Sequence, residues 1–311
     1  MKTLETIANK ASDTGILAGR FELHDILGTG GMGIVYRARD LSRELETPNA
    51  WVAVKLLNYD MKKLPEAAAA LKREAIKEQT LQHANLIQTL GCYEDSGQIL
   101  KVMELVEGDS LKNIMRDYVQ SPLKIKQKQT QVCQWIQQIL AGLSHAHEQG
   151  LVHSDLKPSN IIRDHSGTMR VFDFGIARSI RQVSHQESEQ SQFDPSSLSA
   201  FTPAYASLQM LTGQPSSASD DIYAVGCLFY ECLTGVHPFK KRNAIEAQQE
   251  SPEPIEGISK KIWCVIEKSL SFDAKTRYQN AQEMLEQLNT SNTKVPWWRF
   301  WNANQNFFTK R

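Results

Sequence analysis

Between residues 20 and 40, apolar side chains recur at every second position, first at Phe21 and Leu23 and then at Ile34, Tyr36 and Ala38. This period of two predicts a pair of β-strands. Between them lie the glycines Gly28, Gly30, Gly31 and Gly33. A dinucleotide-binding fingerprint requires a helix directly after such glycines, but the chain continues with the β-branched and aromatic segment IVYRARD. The pattern predicts a hairpin whose turn lets backbone N–H groups approach a phosphate; an ordinary glycine-rich hairpin is the alternative.

The next apolar run, WVAVKLLNY, predicts a strand that places Lys55 in mostly buried surroundings. A buried lysine is destabilising unless an anion accompanies it. The following segment, LPEAAAALKREAIKEQTLQH, predicts a helix with Pro65 in its first turn. One face of this helix carries Glu74 among four apolar residues, Ala67, Ala70, Leu71 and Leu81. We therefore expect Glu74 to pair with Lys55; Glu78, one turn later, is the second candidate, and solvated carboxylates are the alternative.

Farther along, the character of the chain changes from strands to helices. The run QILKVMELV predicts a strand, EGD a turn, and the segments SLKNIMRDYV and KQTQVCQWIQQILAGLSHAHEQG predict helices. This change indicates a boundary between two lobes near residues 104 to 109. Residues 1 to 19 are predicted to form a short amphipathic helix and a linker.

Composition narrows the class of protein. The chain has 311 residues, of which 41% are hydrophobic and 23% charged, as expected for a soluble globular protein with two lobes. Its 35 basic and 35 acidic residues create no overall field that would attract nucleic acid. Five scattered cysteines without CxxC spacing argue against disulfides and zinc and favour a reducing cytoplasm. The polar N-terminus and the absence of a long apolar run predict neither a signal peptide nor a membrane span.

The stretch LVHSDLKPSN, residues 151 to 160, brings an acid, a cation and an amide into one loop. Asp155 can accept or orient the proton of a hydroxyl, and Lys157 can neutralise a transferring phosphoryl group. The side-chain oxygen of Asn160 is a hard ligand suited to Mg²⁺. Downstream, MRVFDFG predicts a short strand that ends in Asp173, a second Mg²⁺ ligand candidate. Together with the glycines and Lys55, these are the parts that phosphoryl transfer needs.

In these motifs the chain resembles the eukaryotic-type (Hanks-type) protein kinases. The resemblance rests on GTGGMGIVY, VAVK, Glu74, HSDLKPSN, DFG, TPAYASLQM, DDIYAVGCLFYECLTG and DAKTRY, and it runs from about Arg20 to Leu288. Lys157 resembles the serine/threonine class, and DFGIAR is similar to bacterial members. The resemblance implies an α+β bilobal fold, with a small antiparallel N-lobe and one main helix (about 20–106) and a larger, mostly helical C-lobe (about 107–288). Residues 1–19 and 289–311 are then terminal extensions.

The resemblance also implies roles for individual residues. ATP is implied as the phosphoryl donor with Mg²⁺, or alternatively Mn²⁺, as the metal, and a protein Ser/Thr hydroxyl as the acceptor. Asp155 is implied as the catalytic base, with Lys157, Lys55 and Glu74 as the other catalytic residues, and Asn160 and Asp173 as metal ligands. The implied ATP-binding residues are Gly28, Gly30, Gly33, Val35, Ala53, Lys55, Met103, Glu104 and Val106. Structural support is implied for His153, Asp221 and Arg277.

Three departures from the family pattern bear on regulation. Ser154 replaces an arginine that usually binds a phosphate on the activation segment, and serine cannot make that contact; we therefore expect activity without activation-segment phosphorylation. Gln209 replaces a glutamate that usually pairs with the arginine at position 277, so we expect only a hydrogen bond there. The activation segment is long and Ser/Gln-rich, and its candidate modified or bracing residues are Ser188, Ser191, Ser196, Ser197, Ser199 and Thr202. A solvated insertion is the alternative.

The C-terminal tail is rich in aromatic and basic residues, with the sequence TKVPWWRFWNANQNFFTKR. Such a composition favours contact with a membrane interface or a partner groove, and docking of the tryptophans on the C-lobe is the alternative.

For the whole chain, the rival to a kinase is a pseudokinase scaffold. A small-molecule kinase is less favoured because TPAYAS indicates a peptide-docking surface.

Overall fold

The predicted hairpin lies at one side of an antiparallel sheet. The computed structural model describes residues 15–30, 33–43, 50–57, 65–119, 125–174 and 203–290. Its larger sheet has six strands in the order β1-β2-β3-β4-β6-β5. These strands are β1 (Ile16–Leu17), β2 (Phe21–Gly30), β3 (Gly33–Asp40), β4 (Trp51–Leu57), β5 (Thr89–Asp95) and β6 (Gln98–Glu104).

Helix α1 (Pro65–Gln79) packs against β5 of this sheet. Pro65 is its first residue, as predicted, because proline lacks the N–H that the first turn leaves unpaired. The helix ends at Gln79, so Leu81, which was placed on its apolar face, lies beyond it and is nevertheless buried. On the other face of the sheet, Val52, Val54 and Leu100 belong to a small hydrophobic core.

The larger lobe is mostly helical. Its helices are α2 (Leu111–Val119), α3 (Ile125–Glu148), α4 (Leu208–Leu211), α5 (Ala218–Thr234), α6 (Ala244–Ala247), α7 (Lys260–Ser269) and α8 (Ala281–Asn289). A three-stranded sheet of β7 (Gly108–Ser110), β8 (Ile161–Asp164) and β9 (Met169–Val171) accompanies them. Every residue of α5 from Ser219 to Leu233 is buried, so this helix lies in the interior of the larger lobe. The strand that was predicted to reach Asp173 ends at Val171.

Several predicted features fall outside the described ranges. These are the N-terminal helix over most of its length, the Ser/Gln-rich segment with Ser188, Ser191, Ser196, Ser197, Ser199 and Thr202, and the aromatic tail. In the part of the chain that the structure describes, none of the helices combines the length and the apolar character that crossing a bilayer requires.

Gly33 is a backbone requirement of the hairpin. Its φ angle is +152°, and a Cβ atom added there would lie 2.0 Å from the carbonyl oxygen of Leu56 on the paired strand. We expect Gly33→Ala to lower the free energy of unfolding by about 1–3 kcal/mol, because both the backbone angle and the strand spacing become strained. Urea unfolding followed by circular dichroism measures this loss.

The matched control is Gly28→Ala in the same hairpin. A Cβ atom at Gly28 would meet nothing within 4 Å, so stability should stay near that of the unchanged protein. Equal unfolding free energies for the Gly33→Ala and Gly28→Ala variants would contradict this account of Gly33.

Candidate active site

The loop of residues 151–160 is held from beneath by one carboxylate. Asp221, in the first turn of α5, accepts hydrogen bonds from the backbone N–H groups of His153 (2.8 Å) and Ser154 (2.9 Å). His147 on α3 lies 2.9 Å from the same carboxylate. Burial alone raises the pKa of Asp221, but the hydrogen bonds from His147 and the backbone outweigh it and lower the pKa. The predicted supporting role of Asp221 thus has a structural counterpart in these contacts.

Asp155, Lys157 and Asn160 converge, as their spacing suggested. Lys157 Nζ lies 2.6 Å from Asp155 Oδ2, and Asn160 Nδ2 donates a 2.9 Å hydrogen bond to the backbone carbonyl of Asp155. A short 3₁₀ helix, Pro158–Asn160, turns the amide back towards the aspartate. Because the nitrogen of Asn160 is the donor, its side-chain oxygen is the atom that can serve a metal.

Asp173 lies two residues past β9 with a φ angle of +76°, which is unusual for a residue with a side chain. Its Oδ2 forms an ion pair with Lys55, whereas its buried Oδ1 has no hydrogen-bond partner among the described residues. Burial alone raises the pKa of Asp173, but the cations of Lys55 and Lys101 outweigh it and lower the pKa to about 2. A buried, ionised oxygen without a hydrogen bond is suited to a metal ion.

His153 links Asp155 to the segment that carries Asp173. Its Nε2 lies 2.9 Å from the carbonyl oxygen of Phe172, and its Nδ1 accepts a 3.3 Å hydrogen bond from the N–H of Asp155. This pairing assigns the proton to Nε2. The imidazole also packs against the ring of Phe174, with 4.7 Å between the centroids. His153 therefore fixes the segment that carries Asp173 relative to the loop that carries Asp155.

The expected pairing of Lys55 with Glu74 is wrong in this structure. Glu74 lies 3.6 Å from Lys77 on its own helix, and Lys55 pairs with Asp173 instead. The reason is the rotation of α1 about its axis, which turns Ala75 and Glu78 into the interior and leaves Glu74 only partly buried. Glu78, the second candidate, is buried but does not pair with Lys55 either.

Glu78 pairs with a residue that sequence reasoning missed, Lys101 on β6. Both side chains are about as buried as Lys55, with exposed fractions of 4% for Glu78 and 3% for Lys101. Burial raises the pKa of Glu78 although Lys101 opposes the shift. For Lys101, burial alone lowers the pKa, but the carboxylates of Glu78 and Asp173 outweigh it and raise the pKa. The signal was present in the sequence, because Lys101 interrupts the apolar run QILKVMELV as Lys55 interrupts WVAVKLL.

The residues expected around a nucleotide share one face of the sheet. Strand register pairs Val35 with Lys55 and Ala53 with Met103, and Gly28 with Val35. Directly opposite residues project from the same face, so these side chains lie on the face that carries the ion pair to Asp173. Cβ atoms added at Gly28 or Gly30 would meet nothing within 4 Å, which leaves space above this face.

The connection after β6 is braced by a pair that the sequence did not reveal. The carboxylate of Glu104 lies 2.7 Å from the guanidinium of Arg170 on β9, and the N–H of Glu104 donates a 3.0 Å hydrogen bond to the carbonyl of Gln88. Val106 follows in the connection to β7 and is partly buried.

Arg277 anchors the end of the activation segment from below. It is buried and contacts the Gln209 side-chain oxygen, the carbonyl of Ser219 at 2.9 Å and the carboxylate of Asp220 at 3.9 Å. Gln209 also donates a 2.9 Å hydrogen bond to the carbonyl of Phe272. The neutral amide thus serves two partners, and a glutamate could serve only the first.

Comparison with known proteins assigns the fold and the family. A model of the protein kinase domain matches residues 21–291. The chain belongs to the protein kinase family. The predicted α+β bilobal kinase fold and the resemblance to bacterial serine/threonine kinases are both confirmed.

The relatives of this kinase domain carry consistent names. The serine/threonine-protein kinase PknB of Mycobacterium leprae is 32% identical over 281 residues, which cover 86% of this chain and 42% of that protein. The serine/threonine-protein kinase PrkC of Bacillus subtilis is 30% identical, with 88% and 41% covered. This chain therefore spans about two fifths of the length of the curated relatives it matches.

Solved structures share the fold. The kinase domain of Mycobacterium tuberculosis PknI matches with a TM-score of 0.67 at 20% identity, covering 89% of this chain and 97% of that chain. The apo form of PpkA-294 matches with a TM-score of 0.69 at 21% identity, covering 88% and 98%.

Asp221 should make the stability of the domain depend on pH. Because its pKa is lowered in the folded state, its contribution is fully present above the unfolded pKa of about 4 and is lost as the pH falls through the folded value. We expect Asp221→Asn to lower the free energy of unfolding by about 2–4 kcal/mol at pH 7. The difference from the unchanged domain should shrink below about pH 4, as measured by urea unfolding at several pH values.

The control for this experiment is Asp117→Asn, because the Asp117 carboxylate is 74% exposed. It should change stability by less than about 0.5 kcal/mol at every pH. A stability deficit of Asp221→Asn that stays constant from pH 7 to pH 3 would show that the ionised carboxylate is not what holds the loop.

Proposed function

We propose that this domain is a serine/threonine protein kinase that transfers the γ-phosphoryl group of ATP to Ser/Thr hydroxyls of protein substrates. The observation that carries the proposal is the convergence of Asp155, Lys157 and Asn160 in one loop, tied through His153 to Asp173. The names of the relatives support the same activity.

The residues present fit Mg²⁺ and the phosphates of ATP. Asp173 offers a buried carboxylate oxygen without a hydrogen-bond partner in the described ranges, and Asn160 offers an amide oxygen. The open space at Gly28 and Gly30 leaves room for phosphates beside the backbone. When bound, Mg²⁺ supplies charge neutralisation for the transferring phosphoryl group.

The loop residues divide the remaining work. Asp155 orients the acceptor hydroxyl and accepts its proton, and Lys157, 2.6 Å from Asp155, offers its charge to the phosphoryl group. Lys55 is placed to exchange its contact with Asp173 for the nucleotide phosphates. Since the N–H of Glu104 is bonded to Gln88, its carbonyl is the group left to accept from the adenine amino group, and Val106 would supply the next backbone contact.

We also propose where the protein substrate binds, what the aromatic tail contacts and where the domain is located. The 3₁₀ turn Pro203–Tyr205 lies beside α5, with Tyr205 donating a 2.6 Å hydrogen bond to Glu231, and this surface would receive the substrate segment after the acceptor residue. The aromatic tail would contact a membrane surface or a protein partner, and the free cysteines favour a cytoplasmic location.

The decisive variant is Asp155→Asn. It keeps the size of the side chain and removes the proton acceptor, so we expect phosphorylation of a generic protein substrate to fall by about 10²–10⁴-fold. Nucleotide affinity should stay close to that of the unchanged domain, because Asp155 is not among the nucleotide contacts. The measurement uses labelled ATP with Mg²⁺, followed by mapping of the phosphorylated residues. Nucleotide binding without phosphate transfer by the unchanged domain would favour a pseudokinase scaffold.

Ser154 predicts how activity responds to phosphorylation. Because serine cannot bind an activation-segment phosphate as arginine does, the phosphatase-treated domain should keep most of its activity. The comparison is between domain purified with and without prior phosphatase treatment, with Asp155→Asn as the blank. Near-complete loss on dephosphorylation and recovery on rephosphorylation would refute this prediction.

A further inference from the structure

Two buried lysines lie side by side on the sheet that faces the active site. Strands β4 and β6 are antiparallel, and their register places Lys55 directly opposite Lys101. Like charges in such cross-strand pairs destabilise a sheet. Both side chains are nearly inaccessible, with exposed fractions of 6% and 3%. An arrangement of this kind persists only if anions compensate it.

Two carboxylates from different elements supply the compensation. Glu78 on α1 forms an ion pair with Lys101, and its Oε2 accepts a 2.8 Å hydrogen bond from Thr89. Asp173 forms an ion pair with Lys55 through Oδ2, while its Oδ1 lies 3.9 Å from Lys101 Nζ. Two cations and two anions therefore cancel within one buried cluster that joins α1, β4, β6 and the segment after β9.

Lys55 and Lys101 differ in the contacts that they make when a nucleotide is bound. Under the proposed function, Lys55 also binds the nucleotide phosphates, and that contact weakens its bond to Asp173. Lys101 is retained by Glu78, so it stays within ion-pair range of Asp173 Oδ1 while Lys55 is engaged. That oxygen has no hydrogen-bond partner in the described part of the chain, which makes its orientation dependent on nearby charge.

We propose that Lys101 is a positioning residue for Asp173, and that its ion pair with Glu78 keeps this carboxylate oriented for Mg²⁺ while Lys55 binds the phosphates. The inference rests on the proposed function, since it concerns the metal ligand of the same site. Lys101 acts through Asp173 and is not itself a catalytic residue. The same ion pair ties α1 to β6, so the position of the helix and the orientation of the metal ligand are coupled.

The rival interpretation is that Lys101 and Glu78 only stabilise the fold. The two roles separate in a double variant, because replacing a whole buried ion pair by neutral residues of similar volume is often tolerated, whereas removing one partner leaves an uncompensated charge. Lys101→Met/Glu78→Gln removes one charge of each sign and leaves the net charge unchanged. The new glutamine can still accept the hydrogen bond from Thr89.

A matched control exists on the same helix. Lys72 on α1 and Glu94 on β5 form an exposed ion pair of 2.6 Å that also connects the helix to the sheet. The variant Lys72→Met/Glu94→Gln therefore makes the same chemical change in another helix-to-sheet pair, away from Asp173.

The experiment measures the affinity of a non-hydrolysable ATP analogue by calorimetry, with Mg²⁺ and with a chelator, together with thermal unfolding. For Lys101→Met/Glu78→Gln we expect cooperative unfolding, unchanged affinity without Mg²⁺, and a loss of about 10-fold in the strengthening that Mg²⁺ produces, as for other residues that orient metal ligands. The Lys72→Met/Glu94→Gln control should keep the full effect of Mg²⁺.

Each other outcome has a definite meaning. A folded Lys101→Met/Glu78→Gln variant with the full effect of Mg²⁺ overturns the positioning role and leaves the proposed function intact. An unchanged domain whose nucleotide binding does not respond to Mg²⁺ overturns the proposed function itself and the inference with it. If the first variant does not unfold cooperatively, the apolar pair Lys101→Met/Glu78→Met is subjected to the same measurements and the same criteria.

Discussion

The active site depends on one buried carboxylate, that of Asp221. Its two oxygens accept the backbone N–H groups of His153 and Ser154, and the positive end of helix α5 favours its negative charge. Because α5 is buried along nearly its whole length, this carboxylate is fixed relative to the core of the larger lobe. The loop that carries Asp155 therefore takes its position from a helix that is buried along nearly its whole length.

His153 connects this loop to the segment that carries Asp173, and ion pairs connect that segment to the sheet. The imidazole holds the Phe172 carbonyl and packs on Phe174, which places Asp173 beneath β4 and β6. There the two lysine charges must be balanced by anions, since Lys55 and Lys101 are both buried and solvent cannot compensate their charges. The positions of the two carboxylates follow from where the strands place the two lysines.

The sequence predicted what depends on local spacing. The hairpin, the strand with Lys55, the helix beginning at Pro65 and the loop from His153 to Asn160 all follow from periodicity or from motifs within a few residues. Which of Glu74 and Glu78 turns into the interior could not be predicted, because it depends on how α1 is rotated against β5. The partner of Lys55 lies 118 residues away, and Arg170, which braces Glu104, lies 66 residues away; such pairings are set by tertiary packing.

Ser154 shows how a single position can serve two independent needs. Its backbone has a φ angle of +63°, a conformation that any residue with a Cβ adopts at some cost, and the bond from its N–H to Asp221 offsets that cost. The contact with Asp221 is available to serine and to arginine alike, because it uses only the backbone N–H of residue 154. The family arginine adds a long cation that reaches the activation segment. Serine carries no such cation, and the side chain of Ser154 is buried within the loop. Evolution can therefore alter the side chain at this position without disturbing Asp155, and the geometry of the chemical site is separable from the device that would report phosphorylation to it.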